Sequence, residues 1–352
     1  MLLQFDGLKY AVLACGASHT HLVTGSSQMN AAGIMYYSRA VSKVNQALTN
    51  IDWSRDDYNV AVLLAITFLY IHGIFAVDTN RDIPKHVTGA VRLINLRYAQ
   101  SRKPPMARPI HRIIWESILY QMFRQTVRHP FSVDFQPDFV FWDRAESVLQ
   151  SLTFPDASPA ANSPVIGFPL SLQKLIIEIV PLCKSPHQPK PEVLRSLQHR
   201  MEYWESTVVE DGQCDKEESP SHVCTTPADR AHLFHQHSTS LYILAASLLL
   251  DWVSRSQEVS YEAEPHLPPP CNSWQIRRAL QIMRCSQAHE ELSRCYLGSW
   301  PSLIFGYAVD RPEHVAVVRT DLDQRFHKMY SSEELLFLRE LESVWRTRGI
   351  SS

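Results

Sequence analysis

The sequence predicts an all-α fold: one large multi-helix domain, residues 1–352, of packed antiparallel helices joined by Pro- and Ser-rich loops. Three observations predict it. Apolar residues recur at helical spacing almost everywhere. No stretch shows sustained apolar/polar alternation or an Asn-Gly turn, the marks of hairpins and sheets. Helix-start patterns of the capping-box type occur at Ser54–Asp57, Thr226–Asp229 and Ser331–Glu334, where a hydroxyl can accept from a free backbone N–H and a carboxylate can reach back.

Taken in order, Tyr37, Val41, Val44 and Leu48 share one helix face. The next segment, Val60 to Val77, is nearly unbroken in its apolar character, with His72 and Gly73 inside it, and is roughly long enough to cross a membrane. Acidic residues flank it (Asp56, Asp57, Asp78) and no Lys/Arg cluster marks one side, so a buried core helix is the expected reading. Pro191 is placed to open a helix whose seam is Val193, Leu197, Met201 and Trp204. Pro227 is placed to open another. Ile276, Leu280 and Met283 line a helix expected to continue past Leu292 to Gly298, and Leu338, Leu341 and Trp345 form the seam of the last. Loops are expected near 154–169, 184–191, 211–227 and 264–273, none biased enough to separate domains.

Composition bounds the function. Lys plus Arg (34) nearly balances Asp plus Glu (36), so no net positive field draws the chain to a phosphate backbone, and direct nucleic-acid binding is not expected. The cysteines are Cys15, Cys183, Cys214, Cys224, Cys271, Cys285 and Cys295, with no CxxC pair among them, so neither a disulfide framework nor a zinc knuckle is indicated. Asp6 and Lys9 interrupt the apolar start, no basic stretch precedes it, and no glycosylation sequon occurs. A reducing compartment, with no membrane association, is the expectation.

Chemistry-bearing patterns are sparse. Asp56-Asp57-Tyr58-Asn59 is the one candidate for the magnesium-holding aspartates of a terpene-cyclase-like enzyme, but no third acidic residue or second metal motif follows. His232, His235 and His237 are the densest imidazoles, with no thiol or carboxylate completing a ligand set. His289-Glu290-Glu291 fails the HExxH pattern because position 293 is Ser. The eleven glycines form no phosphate loop, dinucleotide fingerprint or nucleophile elbow. Arg97, Arg102, Lys103 and Arg108 gather where a solvated connection is expected. No catalytic, cofactor-binding or metal-binding residue is assigned, and no cofactor is expected.

Several segments, in order, resemble the regulatory domain that follows the six-cysteine binuclear zinc cluster in fungal transcription factors. They are AVLACGASHTHLV; the helix with Tyr36, Tyr37 and Ala40; the apolar helix; the His86-x-x-Gly89-Ala90 turn leading to Leu93-Ile94; Trp300-Pro301 running to Gly306; and a closing helix with Trp345 and Arg346. The resemblance spans roughly residues 1 to 348, with 98–270 matching only in helical character. It implies a nuclear transcription regulator, without the zinc cluster in this stretch, acting on metabolic or secondary-metabolite genes through protein partners or as part of a longer DNA-binding chain. A small-molecule effector and a second copy of the chain are the further partners it suggests. A helical enzyme and a non-catalytic scaffold are the alternatives.

Overall fold

The structure, a computed structural model, describes residues 4–49, 56–100, 109–128, 135–151, 162–163, 165–185, 187–214, 227–255, 273–284 and 292–350. Among the described residues every regular element is helical, as the apolar periodicity predicts. The chain falls into two compact units. The first comprises Met1–Gln125, Phe135–Ile166 and Tyr330–Glu333; the second comprises Thr126–Asp134, Gly167–Met329 and Glu334–Ser352.

The first unit is built on α1 (Asp6–Thr24), α2 (Ser27–Thr49), α3 (Asp56–Phe75), a 3₁₀ turn (Val77–Asp82), α4 (Ile83–Gln100), α5 (Pro109–Val127) and α6 (Phe139–Leu149). Gly25, at φ 70°, ends α1: its N–H returns to the His21 carbonyl at 2.7 Å, the left-handed stop that glycine adopts without a Cβ penalty. The chain then doubles back into α2. The hairpin closes through small residues, and a Cβ on Gly33 would lie 2.5 Å from the Ser18 hydroxyl oxygen.

Helix α3 is the membrane-length segment, and 72% of its most apolar window is buried inside the fold. Its neighbours are α1, α2 and α4. A helix with no polar face needs such cover on all sides. In α5, Glu116 and Arg112 are both buried and paired at 2.8 Å. Arg112 also donates to the carbonyls of Ser151 and Leu149, and Glu116 accepts the Val165 N–H at 2.9 Å. Burial pushes the Glu116 carboxyl upward, and those N–H and guanidinium contacts oppose the shift. The α6 start is capped by Asp138, which accepts from the Phe141 N–H.

The second unit contains α7 (Leu170–Lys184), α8 (Pro191–Cys214), α9 (Pro227–Arg255), α10 (Trp274–Arg284), a 3₁₀ turn (Tyr296–Gly298), α11 (Ser299–Ala308), α12 (Pro312–Met329) and most of α13 (Ser332–Thr347). Helices α7 and α9 pack on each other: Phe168, just before α7, stacks on Tyr242, and the Cys183 thiol meets the Leu249 carbonyl. Leu172, Leu175, Ile176, Ile177, Ile179 and Val180 are fully buried.

Pro191 and Pro227 open their helices as expected. In the α8 seam Leu197 and Met201 are buried as read, whereas Leu194 takes the place of the exposed Val193, and Trp204 is half-buried with Val208 buried one turn later. Helix α8 also runs to Cys214, into the stretch expected as loop. The α10 pattern is described only to Arg284. Before Gly298 the backbone is already non-helical, with Cys295 extended at φ −111° and ψ 130°. The start patterns at Ser54 and Thr226 lie outside the described residues, as do Arg102, Lys103, Arg108 and His289 to Glu291.

Candidate functional site

The residues carrying the family resemblance fall in both units. In the first unit they organise a buried polar network. His72 interrupts the apolar face of α3 and is completely buried. Its ring Nε2 lies 2.9 Å from the Ser18 hydroxyl of α1 and its Nδ1 lies 3.0 Å from the Thr79 hydroxyl of the 3₁₀ turn. Thr79 donates its own proton to the Ala76 carbonyl, so it accepts from Nδ1–H. That leaves Nε2 to accept from Ser18, and His72 is neutral with its proton on Nδ1.

Tyr37 of α2 stacks on the His72 ring with centroids 4.8 Å apart. Its hydroxyl donates to Asp82 at 3.3 Å and lies 2.8 Å from His86 Nε2 of α4, which supplies the second hydrogen bond. Lys85 pairs with the same Asp82 at 2.8 Å. Burial depresses both imidazoles to about 4, aided at His72 by His86 and opposed at His86 by Asp82. The phenol of Tyr37 is pushed upward by burial and by the Asp82 charge. At neutral pH the network is therefore an uncharged imidazole–phenol core with one carboxylate at its edge. It ties α1, α2, α3 and α4 to one geometry. Gly73 sets the spacing beside it, since a Cβ there would lie 2.6 Å from the Ile83 side chain.

In the second unit the corresponding centre is charged. Arg325 of α12 is completely buried and clasps Asp321 one turn earlier through Nε at 2.8 Å and Nη2 at 3.2 Å. It also donates to the carbonyls of Leu292 and Cys295. Asp321 accepts from Ser302, and Ser299 donates to Glu334 at 2.6 Å. Gly298 lies against the guanidinium so closely that a Cβ would sit 2.2 Å from it.

Around this pair stand the tryptophans of the resemblance. Trp300 donates its indole N–H to the Val127 carbonyl at 2.8 Å and stacks on Tyr242, which stacks on Phe168. Trp345 donates to the Gly306 carbonyl at 2.8 Å. A Cβ on Gly306 would lie 2.3 Å from Leu341, so this glycine permits the close approach of α11 and α13. Ser331 caps α13 by accepting from the Glu333 N–H, while the Glu334 carboxylate is engaged by Ser299.

The sequence-level candidates are placed as follows. Asp56 pairs with Arg97 of α4, and His111 Nε2 lies 3.6 Å away, so the aspartate joins helices of the first unit. Arg97 thereby belongs to α4 and not to a loose basic connection. His235 faces the Gly167 carbonyl at 3.3 Å, and His237 is buried. Among the described residues no group of three or more metal-ligating side chains converges. Cys15 and Cys183 are held protonated by burial, their thiols raised to about 12. The fully buried amide of Gln173 on α7 makes no hydrogen bond among the described residues.

Sequence reasoning passed over Arg325, Asp321, Thr79 and Ser18. A usable signal existed for the first two, an Asp and an Arg four apart on a helix that must bury one face. His72 carried another, as a lone imidazole in an apolar run.

These features define a helical module organised by internal packing, with a buried polar network in each unit. The chain matches the family described as the fungal specific transcription factor domain over residues 1–350, and it belongs to that family. No curated protein and no solved structure shows a significant match to it.

Proposed function

We propose that this chain is a regulatory domain that controls transcription in the nucleus, through contacts with protein partners or as part of a longer DNA-binding chain, at metabolic or secondary-metabolite genes. The observation that carries the reading is the family match over residues 1–350. Two features support it. The quoted motif residues Tyr37, His86, Trp300, Gly306 and Trp345 make internal contacts that preserve a scaffold. The balance of 34 basic and 36 acidic residues supplies no field for non-specific DNA affinity, which suits a module recruited by other proteins.

The helical-enzyme alternative would need free aspartates at the start of α3, where Asp56 is engaged by Arg97. The test is tethering: the full chain is fused to a heterologous DNA-binding module upstream of a reporter, and a fluorescent fusion reports its location. Reporter output changing several-fold in either direction, with nuclear fluorescence, is expected. Unchanged output together with an unaltered transcriptome on gene deletion would overturn the proposal.

A further inference from the structure

Nine of the chain's prolines lie between residues 159 and 227, and five of them directly follow a hydroxyl residue: Ser158-Pro159, Ser163-Pro164, Ser185-Pro186, Ser219-Pro220 and Thr226-Pro227. None of the other thirteen prolines follows Ser or Thr. The Pro-rich stretches at 104–109 and 265–270 carry no such pair, so proline content alone does not account for the clustering. Two of the five hydroxyl residues, Ser163 and Ser185, belong to the described residues, and they differ: Ser163 is half-buried and Ser185 is exposed.

Ser185 stands where α7 stops. Its backbone is extended at φ −75° and ψ 132°, the conformation that a following proline favours and one close to polyproline II. His187 and Gln188 beyond it are exposed as well. The hydroxyl forms a local turn, donating to the His187 carbonyl and accepting the His187 N–H, both at 3.1 Å. The last turn of α7 is weakly tied to the rest of the helix. Pro181 has no N–H for the Ile177 carbonyl, and the Ser185 N–H closes the helix on the Leu182 carbonyl at a long 3.4 Å. Such an end opens at low cost, which lets an enzyme take the segment around Ser185 as an extended chain.

We propose that Ser185 is the phosphoacceptor of a proline-directed Ser/Thr protein kinase, and that its phosphate unwinds the last turn of α7. In the transfer, Ser185 Oγ attacks the γ-phosphorus of ATP and the bond from that phosphorus to the β,γ-bridging oxygen breaks. ADP departs, and the hydroxyl proton passes to the kinase's base. Three local consequences make the phosphate disruptive. It sets about two negative charges against the carbonyl end of a helix, where the potential is already negative. It offers Lys184 a charged acceptor in place of the neutral Thr126 carbonyl, which Lys184 Nζ meets at 2.9 Å. The esterified Ser185 oxygen also has no proton left for the His187 carbonyl.

The experiment treats the full chain with a purified mitogen-activated protein kinase and magnesium ATP. Peptide mass spectrometry follows each Ser-Pro site, and hydrogen exchange follows the α7 amides. Phosphate is expected on Ser185 of the folded chain severalfold faster than on the half-buried Ser163, and Pro186→Ala slows it by a similar factor. Exchange at residues 182–184 then quickens severalfold over the untreated chain, whereas Ser185→Ala given the same treatment shows no quickening there. Four results overturn the proposal: no phosphate on Ser185 of the folded chain, modification no faster than at Ser163, a rate indifferent to Pro186→Ala, or a Ser185-phosphorylated chain whose exchange at residues 182–184 is unchanged.

Discussion

The two units solve the same problem with different chemistry. In the first, helices are held by a neutral chain of hydroxyl, imidazole and phenol centred on His72 and Tyr37. In the second, they are held by a buried ion pair, Arg325 with Asp321, whose remaining donors reach the Leu292 and Cys295 carbonyls. A neutral network loses its geometry when a proton is added. A buried ion pair fails when one partner is removed and the other is left buried without its counter-charge. The first unit thus carries its titratable imidazoles at its centre, and the second a charge pair that depends on both members.

The largest effect should come from the second unit. Arg325→Ala leaves Asp321 buried without its counter-charge and takes one of the donors from each of two carbonyls, and about 3–5 kcal/mol of unfolding free energy should be lost in denaturant titration. Arg325→Met combined with Asp321→Leu should recover much of that loss. If the double variant is as unstable as the single one, packing around the pair, and not its charge, is what matters.

The next test separates the units by acid. Both imidazoles are depressed in the folded state, so between pH 6.5 and about 4 the unfolded chain binds more protons and stability falls as pH falls. For His72 the shift corresponds to about 3 kcal/mol lost over that window. His72→Asn should be less stable at pH 7 and show a visibly flatter stability profile in that window. An unchanged slope would remove His72 as the source.

Smaller effects test the close approaches. Gly306→Ala must push Leu341 aside and should lower stability by about 1–3 kcal/mol, read as a depressed melting temperature. Gln173→Leu, which removes an amide that is buried without partners, should be neutral or stabilise by up to about 1 kcal/mol. A clear loss would show that the amide is engaged in solution.

The helices were legible because burial of an amphipathic face writes itself into spacing. Leu338, Leu341 and Trp345 line α13 as read, and Pro191 opens α8. Leu197 and Met201 of α8 were read correctly, but the first seam position was misread because Val193 and Leu194 are adjacent and both apolar, so only the partner surface decides between them. The polar centres were largely hidden. Ser18 and His72 are 54 residues apart and Tyr37 and His86 are 49 apart, and no local pattern announces a hydrogen bond across such distances. The motif residues pointed to Tyr37, His86, Trp300 and Gly306, but their packing roles emerged only from the close contacts they make. Asp56 shows the converse: its sequence context suggested a metal site, whereas Arg97 on a later helix accounts for it.

The sequestration of α3 also bears on how the chain leaves the ribosome. An apolar stretch of that length is an aggregation hazard for as long as it waits uncovered. Its partners α1 and α2 are synthesised before it and α4 follows at once, so its cover is available within a short span of chain. The second unit closes late, since the Trp300 indole must find a carbonyl made 173 residues earlier. Low-separation contacts form fast and distant ones slowly. The most hazardous segment is thus the one whose shelter arrives first, and premature termination after α4 should yield fragments that stay in solution longer than those cut between α2 and α4.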